Sequence, residues 1–116
     1  MKTSSAKAKG RRLQKWVADR LGEALKDEIE AGDVQPAVMG QGGRDIKLSP
    51  AGEAACPLDV ECKNRERLNI WAALEQAEAN AAAGRIPAVV FKRNRSETYI
   101  ALAFGDFLKL WRGRPD

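Results

Sequence analysis

Val60-Glu61-Cys62-Lys63-Asn64, with Gly42-Gly43-Arg44-Asp45-Ile46 upstream of it, decides how this chain is read. Apolar Leu58 and Val60 lead into the first stretch, and the segment 58–63 reads as a strand. Side chains at i and i+2 of a strand share one face, so Glu61 and Lys63 point together and Cys62 points away. If the strand that follows the glycine turn, 44–48, lies beside 58–63, Asp45 joins them. Two carboxylates and an ammonium then converge, which suits a divalent cation held against a phosphodiester.

Working outward, residues 10–30 carry Leu13, Trp16, Val17, Leu21, Ala24, Leu25 and Ile29 at three- and four-residue steps, the signature of an amphipathic helix. Gly32 stands near its end. Residues 34–39 form a short apolar stretch in which Pro36 favours an edge, and with 44–48 they predict a hairpin. Ser49-Pro50 opens a single helical turn over 49–55, with serine capping and proline in the first helical position.

Downstream, 70–83 is rich in alanine and glutamate and is closed by Gly84, a helix pattern. Ile70, Ala73, Leu74 and Ala77 fall on one of its faces, Gln76 lies near the border, and Trp71 is read as core or interface. Segments 87–92 and 98–103 are strands joined by the polar turn 93–97. A last short helix over 104–111 is expected to pack Phe107, Leu108 and Trp111 inward.

The chain has 116 residues, enough for one domain with a modest core. With 44% hydrophobic and 31% charged residues it has the composition of an ordinary globular protein. No apolar run approaches the roughly 18 residues that would span a bilayer, and the basic N-terminus lacks the hydrophobic stretch of a secretory signal. A cytoplasmic location without membrane contact is expected. Residues 1–9 read as a basic, flexible N-terminus and 10–116 as the domain.

Twenty lysines and arginines against 16 acids give a net charge of +4, which points to a polyanion partner. The basic residues gather at Lys7, Lys9, Arg11, Arg12 and Lys15, at Lys63, Arg65 and Arg67, at Lys92, Arg93 and Arg95, and at Arg112 and Arg114. Phosphate contacts from such residues give affinity without sequence information.

Histidine is absent, which excludes Ser-His-Asp and Cys-His catalysis and histidine metal sites. Hydrolytic chemistry would have to come from carboxylates, lysine and a hard cation such as Mg2+ or Mn2+. Gly40-Gln41-Gly42-Gly43 lacks the spacing and lysine of a phosphate-binding loop, so no nucleotide cofactor is expected. Cys56 and Cys62 form no metal-ligand pattern and suit a reducing compartment.

Asp45 followed by Glu61-Cys62-Lys63 resembles the active-site signature of PD-(D/E)XK nucleases. Lys9-Gly10-Arg11-Arg12-Leu13-Gln14-Lys15 at the opening of the first helix extends the likeness. The layout is similar to that of archaeal-type Holliday junction resolvases and related small phage nucleases, over nearly the whole chain. That resemblance implies an α/β, restriction-endonuclease-like fold. Its αβββαβ core has a mixed central sheet flanked by helices, with a C-terminal strand and short helix added.

The resemblance further implies a Mg2+- or Mn2+-dependent, structure-selective endonuclease of branched DNA, acting as a homodimer. Asp45 and Glu61 would hold the metal with the main-chain carbonyl of Cys62. Lys63 would orient or deprotonate the attacking water, and Gln76 would help arrange the site or contact DNA. Cleavage would leave 5′-phosphate and 3′-hydroxyl ends. Where resolvases usually carry a first-helix glutamate, this chain has Gln14, which can hold a water but supplies no charge. DNA contacts are assigned to Lys9, Arg11, Arg12, Lys15, Arg44, Asn64, Arg65 and Arg67, and a dimer surface to Phe107, Leu110 and Trp111. The alternatives are a non-catalytic nucleic-acid binding module on the same fold, or a nuclease acting on duplex, nicked, single-stranded or RNA substrates.

Overall fold

In the computed structural model, residues 2–38 and 43–113 are described. Met39, residues 40–42 of the glycine turn, and Arg114 fall outside them. The chain is a compact α/β structure. It runs α1 (Lys2–Ala24), a 3-10 turn (Ala31–Asp33), β1 (Val34–Pro36), β2 (Ile46–Leu48), α2 (Pro50–Ala55), β3 (Leu58–Asn64), α3 (Ile70–Asn80), β4 (Ile86–Lys92), β5 (Tyr99–Ala101) and α4 (Phe104–Arg112).

The strands form two sheets. β1 and β2 pair antiparallel, with Val34 opposite Leu48 and Pro36 opposite Ile46. β3, β4 and β5 form a mixed sheet: β3 runs parallel to β4 with Glu61 opposite Val89, and β4 runs antiparallel to β5. The hairpin reaches the edge of β3 through the Asp45 N–H, which donates to the Val60 carbonyl at 3.0 Å.

Alternation along β3 sorts its side chains into two layers. Val60 and Cys62 join Leu13, Val17 and Ala18 of α1, Val34, Ile46 and Val90 in one buried cluster. On the other face Ala73 and Ala77 of α3 pack against Val89, with Ile70, Leu74 and Phe91 around them. The expected inward face of α3 is therefore the one that packs. Small alanines let the helix lie close to the sheet, and the face they cover is the one that carries Glu61 and Lys63.

Several boundaries differ from the sequence expectation. α1 begins at Lys2, inside the segment expected to be loose, because Ala6, Lys7, Ala8 and Lys9 favour a helix and nothing breaks it. It stops at Ala24, before residue 30. There the Lys26 N–H turns to the Glu23 carbonyl and the Glu28 N–H to the Leu25 carbonyl, tightening the last turn. That turn brings Ile29 back onto the first cluster. α3 ends at Asn80, short of the Gly84 stop, because the Ala82 N–H is taken by Asp59 at 2.9 Å.

The capped turn after β2 forms as read. Ser49 accepts from the Gly52 N–H at 3.0 Å with Pro50 in the first turn, and the Ser49 hydroxyl donates to Asp33 at 2.7 Å. The aromatics differ from the expected burial. Trp71 is 76% exposed and so is no part of the core, and Phe107 and Trp111 do not pack inward but lie 44% and 57% exposed. α4 follows the short edge strand β5 and meets too little of the sheet to cover that face. Phe104 stacks on Phe107 along the helix and Phe107 meets Trp111 at a tilt, with centroids 6.3 and 6.0 Å apart. Among the described residues no helix is long and apolar enough to cross a membrane.

Candidate functional site

β3 is an edge strand, and Asp45 is what occupies its open side. While the Asp45 main-chain N–H donates to Val60, the Asp45 carboxylate accepts the Cys62 N–H through Oδ2 at 2.7 Å. One residue thus satisfies two successive main-chain groups of β3, part of its own backbone and part of its side chain standing in for a neighbouring strand. This clamp fixes the carboxylate beside the strand that carries Glu61 and Lys63.

Glu61 lies on the α3 face of β3 and is 2% exposed. Its Oε2 accepts from the Asn80 side-chain amide at 3.1 Å, and the same amide leans toward the Gly43 carbonyl at 3.4 Å. Asn80 therefore ties α3, β3 and the loop before Asp45 together. Among the described residues, Asp45 Oδ1 and Glu61 Oε1 have no hydrogen-bond donor.

The charges of this group act on one another. Burial raises the pKa of Asp45, against the Cys62 N–H and the Lys63 charge, which lower it. Burial also raises that of Glu61; the Asn80 amide lowers it, the Asp45 charge raises it further and Lys63 lowers it. For both acids the raising influence wins. Lys63 is near enough to be felt by both, yet it does not offset the cost of charge on the buried Glu61 and the half-buried Asp45.

The preceding acid on the same face meets the opposite environment. Asp59, also 2% exposed, takes the Arg85 Nε at 2.6 Å and the Arg44 guanidinium at 3.0 Å. Arg85 continues to the carbonyls of Glu53 and Leu58, each at 3.1 Å, and to that of Cys56. Burial alone would raise the Asp59 pKa, but the Ala82 N–H and the two guanidinium groups outweigh it and hold the carboxyl below its usual range. Asp59 and Arg85 lock α2, β3 and the end of α3.

Other expected site residues are spread more widely. Cys62 meets the site through its main chain, while its thiol faces the α1 cluster, where burial pushes its pKa up. Cys56 and Cys62 are both free and buried. Gln76 is exposed on α3, and the amide that reaches Glu61 belongs to Asn80, one turn further along. Gln14 is half-buried beside Leu13 on α1, with no described hydrogen bond to either acid. The Arg44 guanidinium, assigned to DNA, is engaged with Asp59 and reaches Glu53 at 3.5 Å.

The remaining basic residues keep solvent access. Arg11, Arg12 and Lys15 are exposed on α1, Lys9 is half-buried, and Lys15 pairs with Asp19 at 3.0 Å. Arg65 and Arg67 are exposed after β3, and the Arg65 N–H donates to the Lys92 carbonyl at 3.0 Å. Because β3 and β4 are parallel, Arg65, Lys92 and Arg93 gather at their C-terminal ends, where open α/β sheets commonly bind ligands.

Sequence reasoning missed Asp59, Arg85 and Asn80. The signal available for Asp59 is alternation, which sets it on the face of Glu61 and Lys63, and three charged residues on one buried face signal a need for partners. Nothing local identified Arg85 or Asn80 as those partners. No family model, curated protein or solved structure matches this chain.

Among the described residues no group of three or more histidine, cysteine, aspartate or glutamate side chains is placed to hold a metal ion. Asp45 and Glu61 form a pair. A pair suits Mg2+, which is commonly held by one or two carboxylates and completed by water and substrate phosphate oxygens. The donor chemistry fits a hard divalent cation: two carboxylates, unfavourably charged by burial and by each other, lacking a guanidinium of their own.

Proposed function

We propose that this chain is a Mg2+- or Mn2+-dependent endonuclease of branched or duplex DNA, of the PD-(D/E)XK kind and nearest in layout to Holliday junction resolvases. The observation that carries the reading is the unequal treatment of acids on β3: Asp59 receives two guanidinium groups, while Glu61 and its neighbour Asp45 receive amides and a shared lysine. A bound divalent ion would supply the missing positive charge. It would also polarise a phosphate oxygen and make water more acidic.

Within this reading Asp45 and Glu61 hold the cation, and the Cys62 N–H keeps Asp45 turned toward β3. Asn80 keeps Glu61 in place. Lys63, on the Glu61 face, orients the attacking water and stabilises the negative charge that grows on phosphorus oxygens in the transition state. Arg11, Arg12, Arg65 and Arg67 hold the DNA backbone. The exposed aromatic stripe of α4 offers a surface for a two-fold dimer, which symmetric cleavage of a junction needs.

A second reading, a binding module without hydrolysis, draws on Gln14 and on a carboxylate pair without a third acid. The two separate in one assay: purified protein with Mg2+ or with EDTA, on four-way junctions, flaps, duplex and single strands. The nuclease reading expects cleavage in Mg2+ that falls by at least about a thousandfold in Asp45→Asn and Glu61→Gln, with Lys63→Ala losing turnover more than binding. Wild-type cleavage by Asp45→Asn and Glu61→Gln would overturn it, and metal-independent binding without cleavage would favour the second reading.

A further inference from the structure

A groove separate from the carboxylate pair opens on the other face of β3, between α1 and the turn joining β4 to β5. It encloses about 530 Å3, within the roughly 300–1,000 Å3 of clefts that take small ligands. Arg12, Lys92 and Arg95 bring three cations to its lining against one carboxylate, Glu97. Trp16, four residues after Arg12 and so on the same side of α1, supplies an aromatic surface that is 43% exposed. Arg20 lies 4.9 Å from its ring centroid and braces it.

Two further observations mark this groove as more than a charged crevice. Asn64, which lines it, has a buried Oδ1 without a hydrogen-bond partner among the described residues, and such atoms are uncommon in the absence of a ligand or water. Arg95 sits at φ 64, the one described non-glycine residue in the left-handed region. Glycine would relieve that turn, whose Ser96 hydroxyl and main chain already close on Arg93. The strained position carries an arginine that lines the groove.

We infer that this groove receives an unpaired nucleotide of the DNA strand, its base against Trp16 and its phosphate among Arg12, Lys92 and Arg95. A flat aromatic flanked by cations is the means by which proteins hold single strands, because every base has a face to stack and every nucleotide a phosphate. Asn64 directly follows Lys63 on β3 and faces the opposite side of the sheet. A strand leaving a junction or flap can therefore be held here while the adjoining duplex lies at the carboxylates. The inference rests on DNA being the partner, as proposed above, and does not depend on hydrolysis.

The test is fluorescence anisotropy in EDTA, with a short labelled oligothymidylate and a blunt duplex of similar length, on wild type, Trp16→Ala and Arg95→Gly. Arg95→Gly is the decisive variant because it removes backbone strain, so its Tm should equal or exceed that of wild type. Both variants should bind the oligothymidylate roughly tenfold more weakly, with duplex affinity changed less than about twofold. Unchanged oligothymidylate affinity in Arg95→Gly, or an equal loss on both probes, would overturn the inference. Loss of cleavage in Mg2+ with this preference intact would fail the nuclease reading alone.

Discussion

Asp59 and Glu61 stand two residues apart on one face of β3, equally buried at 2% exposure, and the molecule treats them in opposite ways. Asp59 is surrounded by Arg85, Arg44 and the Ala82 N–H, and its carboxyl is held below the usual range. Glu61 has the Asn80 amide and the negative charge of Asp45 nearby, and its carboxyl is pushed up. Burial of an ionised carboxylate is unfavourable unless it is paired. An acid given its cation by the fold serves the fold; on the reading proposed above, one left without a guanidinium would take its cation from outside.

The largest effect expected from breaking this contrast is at Arg85. Arg85→Ala leaves Asp59 short of its closer guanidinium and frees the carbonyls of Glu53, Cys56 and Leu58. Loss of one partner of a buried ion pair costs about 3–5 kcal/mol, so urea unfolding should show a destabilisation of that order. Arg85→Lys should recover little of it, since an ammonium lacks the planar fork that meets these acceptors together. A loss below about 1 kcal/mol in Arg85→Ala would mean that Arg44 alone sustains Asp59.

At Asn80 the expected effect is smaller and of a different kind. Asn80→Ala removes the amide that lowers the Glu61 pKa, and a hydrogen bond to a charged group contributes about 1.5–3 kcal/mol. Stability should fall by the lower end of that range. If the chain is a nuclease, the acidic limb of its pH–rate profile should move to higher pH. A profile that keeps its position while the rate falls would assign Asn80 a purely structural part.

Glu61→Gln should move stability the other way. Because the folded-state pKa of Glu61 is raised, its ionised form is less favourable folded than unfolded, and this cost is fully present above the raised value. The cost disappears as pH falls below the ordinary carboxylate value. Glutamine keeps the hydrogen-bonding shape without the charge, so the variant should be more stable than wild type at neutral pH in urea unfolding. The gain should shrink in mild acid. For Asp59 the sign reverses: its lowered pKa gives stability that is present above the ordinary value and lost only as pH falls through the folded one.

How much of this was legible in the sequence follows from the range of each interaction. The i and i+2 rule put Glu61 and Lys63 on one face, and the capping serine before Pro50 announced α2; both are local facts of a strand and a turn. The clamp of Asp45 on the Cys62 N–H joins residues 17 apart, and its partner strand was readable because the hairpin sequence sets Asp45 just before β2. Arg85 meets Asp59 across 26 residues, and no pattern in the sequence selects it from the other arginines. Gln76 and Asn80 are both polar positions on α3, and only the docking angle of that helix decides which reaches Glu61.

The aromatics of α4 show the opposite limit. Their spacing makes an amphipathic stripe, and such a stripe signals burial against something. Phe104, Phe107 and Trp111 remain outside this chain's own core because β5 pairs through only Tyr99–Ala101 and leaves little sheet for α4 to cover. Spacing marks apolar positions on a helix but not what lies opposite them, so the expected inward packing of Phe107 and Trp111 does not occur.

The most direct test of the central claim is calorimetric titration of Mn2+ into the metal-free protein near pH 7.5, comparing wild type with Asp45→Asn, Glu61→Gln and Lys15→Ala. Wild type and Lys15→Ala should bind one ion with the same affinity, and both acid variants should lose binding by about tenfold or more. Equal Mn2+ affinity in wild type and Glu61→Gln would contradict the account, and would return Glu61 to the status of a buried acid that the fold merely tolerates.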